Sequence, residues 1–79
     1  MKPTDYILKD YLEERNKALT ELDMDWAMCQ MPDASDEVRL VAMHKARVNC
    51  LAVTGNLRKQ SAKWLVSKGY STFCSLMGV

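Results

Sequence analysis

Leu8-Lys9-Asp10-Tyr11-Leu12-Glu13-Glu14-Arg15-Asn16-Lys17-Ala18-Leu19-Thr20-Glu21-Leu22-Asp23-Met24-Asp25-Trp26-Ala27-Met28-Cys29 is the stretch whose reading decides the fold class. Within it Leu8, Leu12, Arg15, Leu19, Leu22, Trp26 and Cys29 fall at alternating steps of four and three, and all but Arg15 are apolar or cysteine. That spacing is the seam of a helix that packs lengthwise on another helix. An all-α protein is therefore expected.

Working outward, Thr4 is a suitable N-cap after Pro3, and the first helix is expected to run over residues 4–30. Met31-Pro32-Asp33-Ala34 ends it, because proline disfavours helical geometry in the residue before it. Asp33 or Ser35 can cap a second helix, with Asp36 and Glu37 at its positive end. The second helix is expected to continue through Lys68 and stop at Gly69 in a left-handed turn. Gly55 lies inside this span, where a kink or a close helix contact would fit. Two long helices joined by a short loop make an antiparallel helical hairpin. Its register places Trp26 near Leu40, Leu22 near Met43, and Arg15 near Cys50 or Leu51. Trp64 then projects past the start of the first helix. The tail from Tyr70 to Val79 carries Phe73, Cys74, Leu76 and Met77 and is expected to form a short helix, capped by Ser71, that folds back on the hairpin.

The chain has 79 residues, enough for one domain (residues 1–79) and close to the lower size at which an apolar core alone holds a fold. A hydrophobic fraction of 48% beside 27% charged residues belongs to a globular chain rather than a disordered one. The net charge of +1 fits neither a strongly basic nucleic-acid binder nor an acidic mimic of nucleic acid. No window is apolar enough to cross a bilayer, and Met1-Lys2-Pro3-Thr4-Asp5 has no secretory pattern, so the expected location is cytoplasmic, with no membrane partner. Cys29, Cys50 and Cys74 lack the short paired spacings of zinc or redox motifs and are expected as small buried hydrophobes.

Charge supports the antiparallel pairing. The first helix is rich in carboxylates, whereas the second carries Arg39, Lys45, Arg47, Arg58, Lys59, Lys63 and Lys68 against Asp36 and Glu37. Exposed pairs of this kind are each worth about 0–1 kcal/mol, so the asymmetry guides pairing more than it stabilises. Arg15, a cation in an apolar seam, is expected either to reach the rim over its packed stem or to meet a carboxylate across a dimer interface.

Two surfaces are left over. The second helix has one apolar band through Met43, Ala46, Cys50, Val53, Leu57 and Trp64 and another through Val41, Val48, Leu51, Ala52, Ala62 and Val66. So wide an arc needs covering on two sides, and a homodimer forming a four-helix bundle is expected, with Val41, Val48, Leu51, Ala52 and Trp64 at the interface. The competing arrangement is a monomer whose tail covers the second band. On the first helix, Met24, Met28 and Met31 lie opposite the seam and form an adaptable apolar face for a partner protein, unless the tail or the dimer mate packs there.

Chemistry is sparse. One histidine, no glycine-rich phosphate loop and no nucleophile motif point away from an enzyme, and no cofactor or metal site is expected. His44 lacks the cysteine or acidic neighbours of a metal ligand and is expected to be an ordinary partly buried or surface histidine. Arg58, Lys59 and Lys63, with Lys68 and Trp64 nearby, are the candidates for nucleic-acid contact; because the second helix presents them on different sides beside an acidic helix, a solvated face is the favoured reading and nucleic acid is not the expected partner.

Ala42-Met43-His44-Lys45-Ala46-Arg47, followed by Leu57-Arg58, Ser61, Trp64-Leu65 and Gly69-Tyr70, resembles small uncharacterised helical proteins encoded by bacteriophages and prophages, over the C-terminal half of the chain. The resemblance implies an accessory product that acts in the host cytoplasm by binding and blocking a host protein. The expected function is thus a non-catalytic protein-binding module, an inhibitor or modulator that occludes a host regulatory protein or enzyme. The alternatives are a nucleic-acid-associated accessory protein using the basic end of the second helix, and a structural assembly component.

Overall fold

The computed structural model describes the backbone of residues 3–72 and the side chains of residues 9–72. It is all-helical, with no strand among the described residues: α1 spans Pro3–Glu21, α2 Met24–Gln30, α3 Asp36–Val48 and α4 Gly55–Ser67. Each of the two long helices expected from the sequence is therefore a pair. The Leu8 side chain and the tail from Phe73, including Cys74, lie outside the described residues; Tyr70, Ser71 and Thr72 are not helical.

The first break falls at Leu22-Asp23. Leu22 takes a left-handed backbone (φ 51°), and the Asp23 N–H donates back to the Ala18 carbonyl at 2.9 Å, closing α1. Leucine in this conformation costs roughly 1–2 kcal/mol, offset by its side chain packing against the core. Asp23 then caps α2, its Oδ1 accepting from the N–H groups of Asp25 (3.1 Å) and Trp26 (3.2 Å). α2 turns back along α1 and brings Trp26 against Tyr11, ring centroids 6.3 Å apart. The seam is cut here, so Cys29 at its end is exposed rather than buried, while Cys50 is buried as expected.

Between α2 and α3, Ser35 provides the expected cap, its Oγ accepting from the Val38 N–H at 3.2 Å. The second break, residues 49–54, was not expected. Asn49 ends α3 and donates from Nδ2 to the Lys45 carbonyl (2.7 Å), and Gly55 opens α4 instead of sitting in a helix interior. Cys50 and Val53 of this connection are buried, joining Ala18, Leu19, Ala27, Met43 and Ala46 in one core. α4 folds back antiparallel on α3 and closes at Gly69 (φ 82°), where the Tyr70 N–H reaches the Leu65 carbonyl at 2.9 Å. Trp64 accordingly does not project past the first helix; it stacks on His44 of α3.

Two buried arginines of α3 tie the pieces together. Arg47, 5% exposed, donates from Nε to the Leu19 carbonyl (2.8 Å) and from Nη2 to the Thr20 carbonyl (2.9 Å), and Nη1 lies 3.4 Å from Ser61 Oγ on α4. Arg39 holds the turn that follows α2, donating to the Met31 and Pro32 carbonyls, both at 2.9 Å, and to Asp36 Oδ1 at 3.0 Å. The last carbonyls of a helix lack intrahelical partners and carry its negative dipole end, so a guanidinium there satisfies both. The expected carboxylate–cation pairing of neighbouring helices is not what forms. Among the described residues the ion pairs are Lys9–Glu13 and Arg39–Asp36, each within one helix. Arg15, half-buried, sits where the expected register placed it, Nη2 3.4 Å from Asn16 Oδ1 and 3.9 Å from Cys50 Sγ. Its Nε and the Trp26 Nε1 are buried without an acceptor among the described residues.

Replacing Arg47 with methionine removes the donors from two α1 carbonyls and from Ser61. We expect a loss of about 3 kcal/mol, read as a lowered urea midpoint, with Arg47→Lys intermediate because one ammonium cannot span both carbonyls.

Candidate functional site

An open groove of about 660 Å³ runs between α2 and the α3–α4 pair, lined by Met24, Met28, Asp36, Glu37, Leu40, Trp64, Lys68 and Tyr70. Met24 and Met28, four residues apart, occupy one face of α2. α2 meets the core through Ala27, which is fully buried, and through the partly buried Trp26. Met28 is 49% exposed. Met31, the third methionine of the expected partner face, is not in the groove; it follows the end of α2 and packs against the core.

The opposite wall is an aromatic stack. The Trp64 ring lies on the His44 imidazole with centroids 4.2 Å apart and planes 19° apart, and Tyr70 lies nearly parallel to Trp64 at 6.4 Å. The Tyr70 hydroxyl donates to Glu37 Oε1 at 2.9 Å, which joins the segment after α4 to the start of α3. That hydrogen bond and the Glu37 charge raise the Tyr70 phenol above its ordinary value. The sequence marked Trp64 as an interface residue but left Glu37 and Tyr70 unassigned to any site; what unites them is the reversal at residues 49–54, for which Asn49 and the Thr54-Gly55-Asn56 run are the local signals.

Beneath the stack, His44 Nδ1 is 2.9 Å from Ser61 Oγ. Ser61 Oγ also accepts from Arg47 Nη1, and which of Oγ and Nδ1 donates to the other is set by the imidazole tautomer. Burial, and then the Arg47 charge, lower the His44 pKa. His44, expected as an ordinary histidine, is therefore a buried member of a polar network joining α3 and α4.

The remaining candidates are dispersed. Val41 and Val48 are half-buried on α3, Leu51 (86% exposed) and Ala52 lie in the α3–α4 connection, and Trp64 faces the groove. These five do not share one face, because the continuous helix that would have aligned them is broken at residues 49–54. Arg58 is half-buried and donates from Nε to the Val53 carbonyl at 3.1 Å, holding the connection. Lys59 and Lys63 are exposed one turn apart on α4, away from Lys68 in the groove. A continuous basic stripe through Arg58, Lys59 and Lys63 does not form.

Among the described residues no group of three histidine, cysteine or acidic side chains is placed to hold a metal ion, and no helix is long and apolar enough to cross a membrane. No family model, curated protein sequence or solved structure matches this chain.

His44 links this site to pH. Its folded-state pKa lies below the ordinary 6.5, so the unfolded chain takes up the proton first, and the stability contributed by the neutral imidazole is complete above about pH 6.5 and declines as pH falls below it. Urea midpoints at pH 7.5 and 5.5 are expected to differ, with higher stability at pH 7.5, and His44→Gln is expected to flatten the difference.

Proposed function

We propose that the chain is a non-catalytic protein-binding module whose working surface is the groove between α2 and the α3–α4 pair. The observation that carries this reading is the juxtaposition of exposed Met28, with Met24 and Leu40, against the Trp64 ring in an open channel. Unbranched methionines re-pack against varied apolar shapes, aromatic rings anchor interfaces, and a channel between two helices suits a third amphipathic helix. The mechanism is occlusion: the target's apolar segment is covered and withheld from its own partners. In keeping with the resemblance of the C-terminal half to bacteriophage proteins, the target is a host regulatory protein or enzyme, met in the host cytoplasm.

Met28→Asp places a charge in the channel at a position where the fold does not need the side chain. A host protein recovered with the unaltered chain is expected to be lost with this variant while its circular dichroism is unchanged. Recovery that persists with Met28→Asp overturns the assignment of the groove.

The proposal also includes self-association. Leu51 (86% exposed) and Val66 (69% exposed) remain uncovered among the described residues, and Val41 and Val48 are half-buried. For a chain of 79 residues, burying these against a second copy adds core that one copy lacks. Sedimentation equilibrium is expected to give twice the monomer mass; a monomer at high concentration rejects the homodimer, and a ring or filament points to an assembly component.

A further inference from the structure

The path of the chain beyond α4 is fixed at three points. The Tyr70 N–H reaches the Leu65 carbonyl at 2.9 Å, the Tyr70 hydroxyl reaches Glu37, and the Thr72 carbonyl accepts from Asn49 Nδ2 at 3.0 Å. Asn49 Nδ2 also donates to the Lys45 carbonyl at 2.7 Å, which engages both hydrogens of its amide at the end of α3. About 18 Å of helix axis separates Asn49 from Glu37. The α3 residues of the groove, Asp36, Glu37 and Leu40, all belong to the first turns of that helix. The chain therefore passes from the groove end of α3 toward its other end, and leaves Thr72 beside the α3–α4 connection.

That connection presents an apolar surface with no cover among the described residues. Cys50 and Val53 are buried in the core, while Leu51 and Ala52 between them are exposed. Leu51, at 86%, is the most exposed large apolar side chain among the described residues, and it stands two residues after Asn49. Phe73 follows Thr72 directly. From Phe73 to Val79 the sequence holds Phe73, Cys74, Leu76, Met77 and Val79 with one serine, one glycine and no charge. A segment of that length reaches up to about 25 Å when extended, ample for Phe73 and Leu76 to meet Leu51.

Resting on the self-association reading above, we infer that Phe73–Val79 occupies the Leu51 surface of its own chain, laying Phe73 and Leu76 over Leu51 and Ala52, and that a second copy must displace it to associate there. Two apolar surfaces that water would otherwise meet separately cover one another. The segment holds an advantage over a second copy because it is tethered at Thr72, which keeps its concentration beside Leu51 on the order of millimolar. Self-association is thereby confined to high protein concentration, and withdrawal of the segment strengthens it.

The test uses the full chain in solution. Nuclear Overhauser contacts between the Phe73 ring and the Leu51 methyl groups are expected in the isotope-labelled chain, and none are expected between labelled and unlabelled copies in a mixed sample. These contacts are read without any substitution, so the cover is decided even where a variant unfolds. The double variant Phe73→Ser, Leu76→Ser is expected to lose them and to keep its circular dichroism. In sedimentation equilibrium it is expected to self-associate about ten-fold more tightly, the factor for uncovering most of a leucine side chain. Contacts of Phe73 with Met28 or Trp64 in place of Leu51, contacts found only between copies, or none at all overturn the inference. A double variant that associates no more tightly than the unaltered chain overturns the competition and leaves the self-association reading standing. If both stay monomeric at high concentration while the internal contacts are present, the self-association reading falls and the competition with it.

Discussion

Arg47 holds its guanidinium on the carbonyls of Leu19 and Thr20, with Ser61 at its third corner, and the other contacts are arranged around this one. A cation so deeply buried needs compensation, and here it comes from the electronegative end of α1 instead of a carboxylate. The contact fixes three helices at once: α1 by its terminal carbonyls, α3 by the arginine stem, and α4 through Ser61. Burial lowers the guanidinium pKa, yet arginine keeps its charge at any ordinary pH, so the clamp does not depend on solution conditions as His44 does.

Arg39, eight residues earlier, donates to the Met31 and Pro32 carbonyls of the turn that follows α2. α3 is therefore the element against which every other helix is placed. α2 commits Trp26 and Ala27 to the core, and Met24 and Met28 line the open groove. Holding α4 through Ser61, and stacking Trp64 on His44, erects the opposite wall. The groove is thus the angle between two helices that are both fastened to a third, and no described residue fills it.

Some of this was legible in the residues alone. The seam spacing identified helices; Pro32, Ser35 and Gly69 marked boundaries that the structure keeps; and the Arg15–Cys50 proximity followed from counting outward from the turn. Met24, Met28 and Trp64 stood out as apolar side chains beyond the needs of one packed face, and they line the groove. The breaks were less legible. Leu22 adopts a left-handed conformation that only its neighbours make tolerable, and Asp23 resembles any other acidic position until its carboxylate is seen capping α2. At residues 49–54, Cys50 and Val53 continue the apolar spacing of a helix while belonging to a connection, so periodicity ran through the turn without registering it.

Helical class, the position of the 31–35 turn and the separation of acidic from basic residues were determined by the sequence itself, because local propensity, proline and capping chemistry act over a few residues. The tertiary structure decided which arginines enter the core, where each long helix folds back, and that α2 and α4 face one another across a groove. Those outcomes depend on which carbonyls are left without partners once helices end, and that is settled only when distant segments meet.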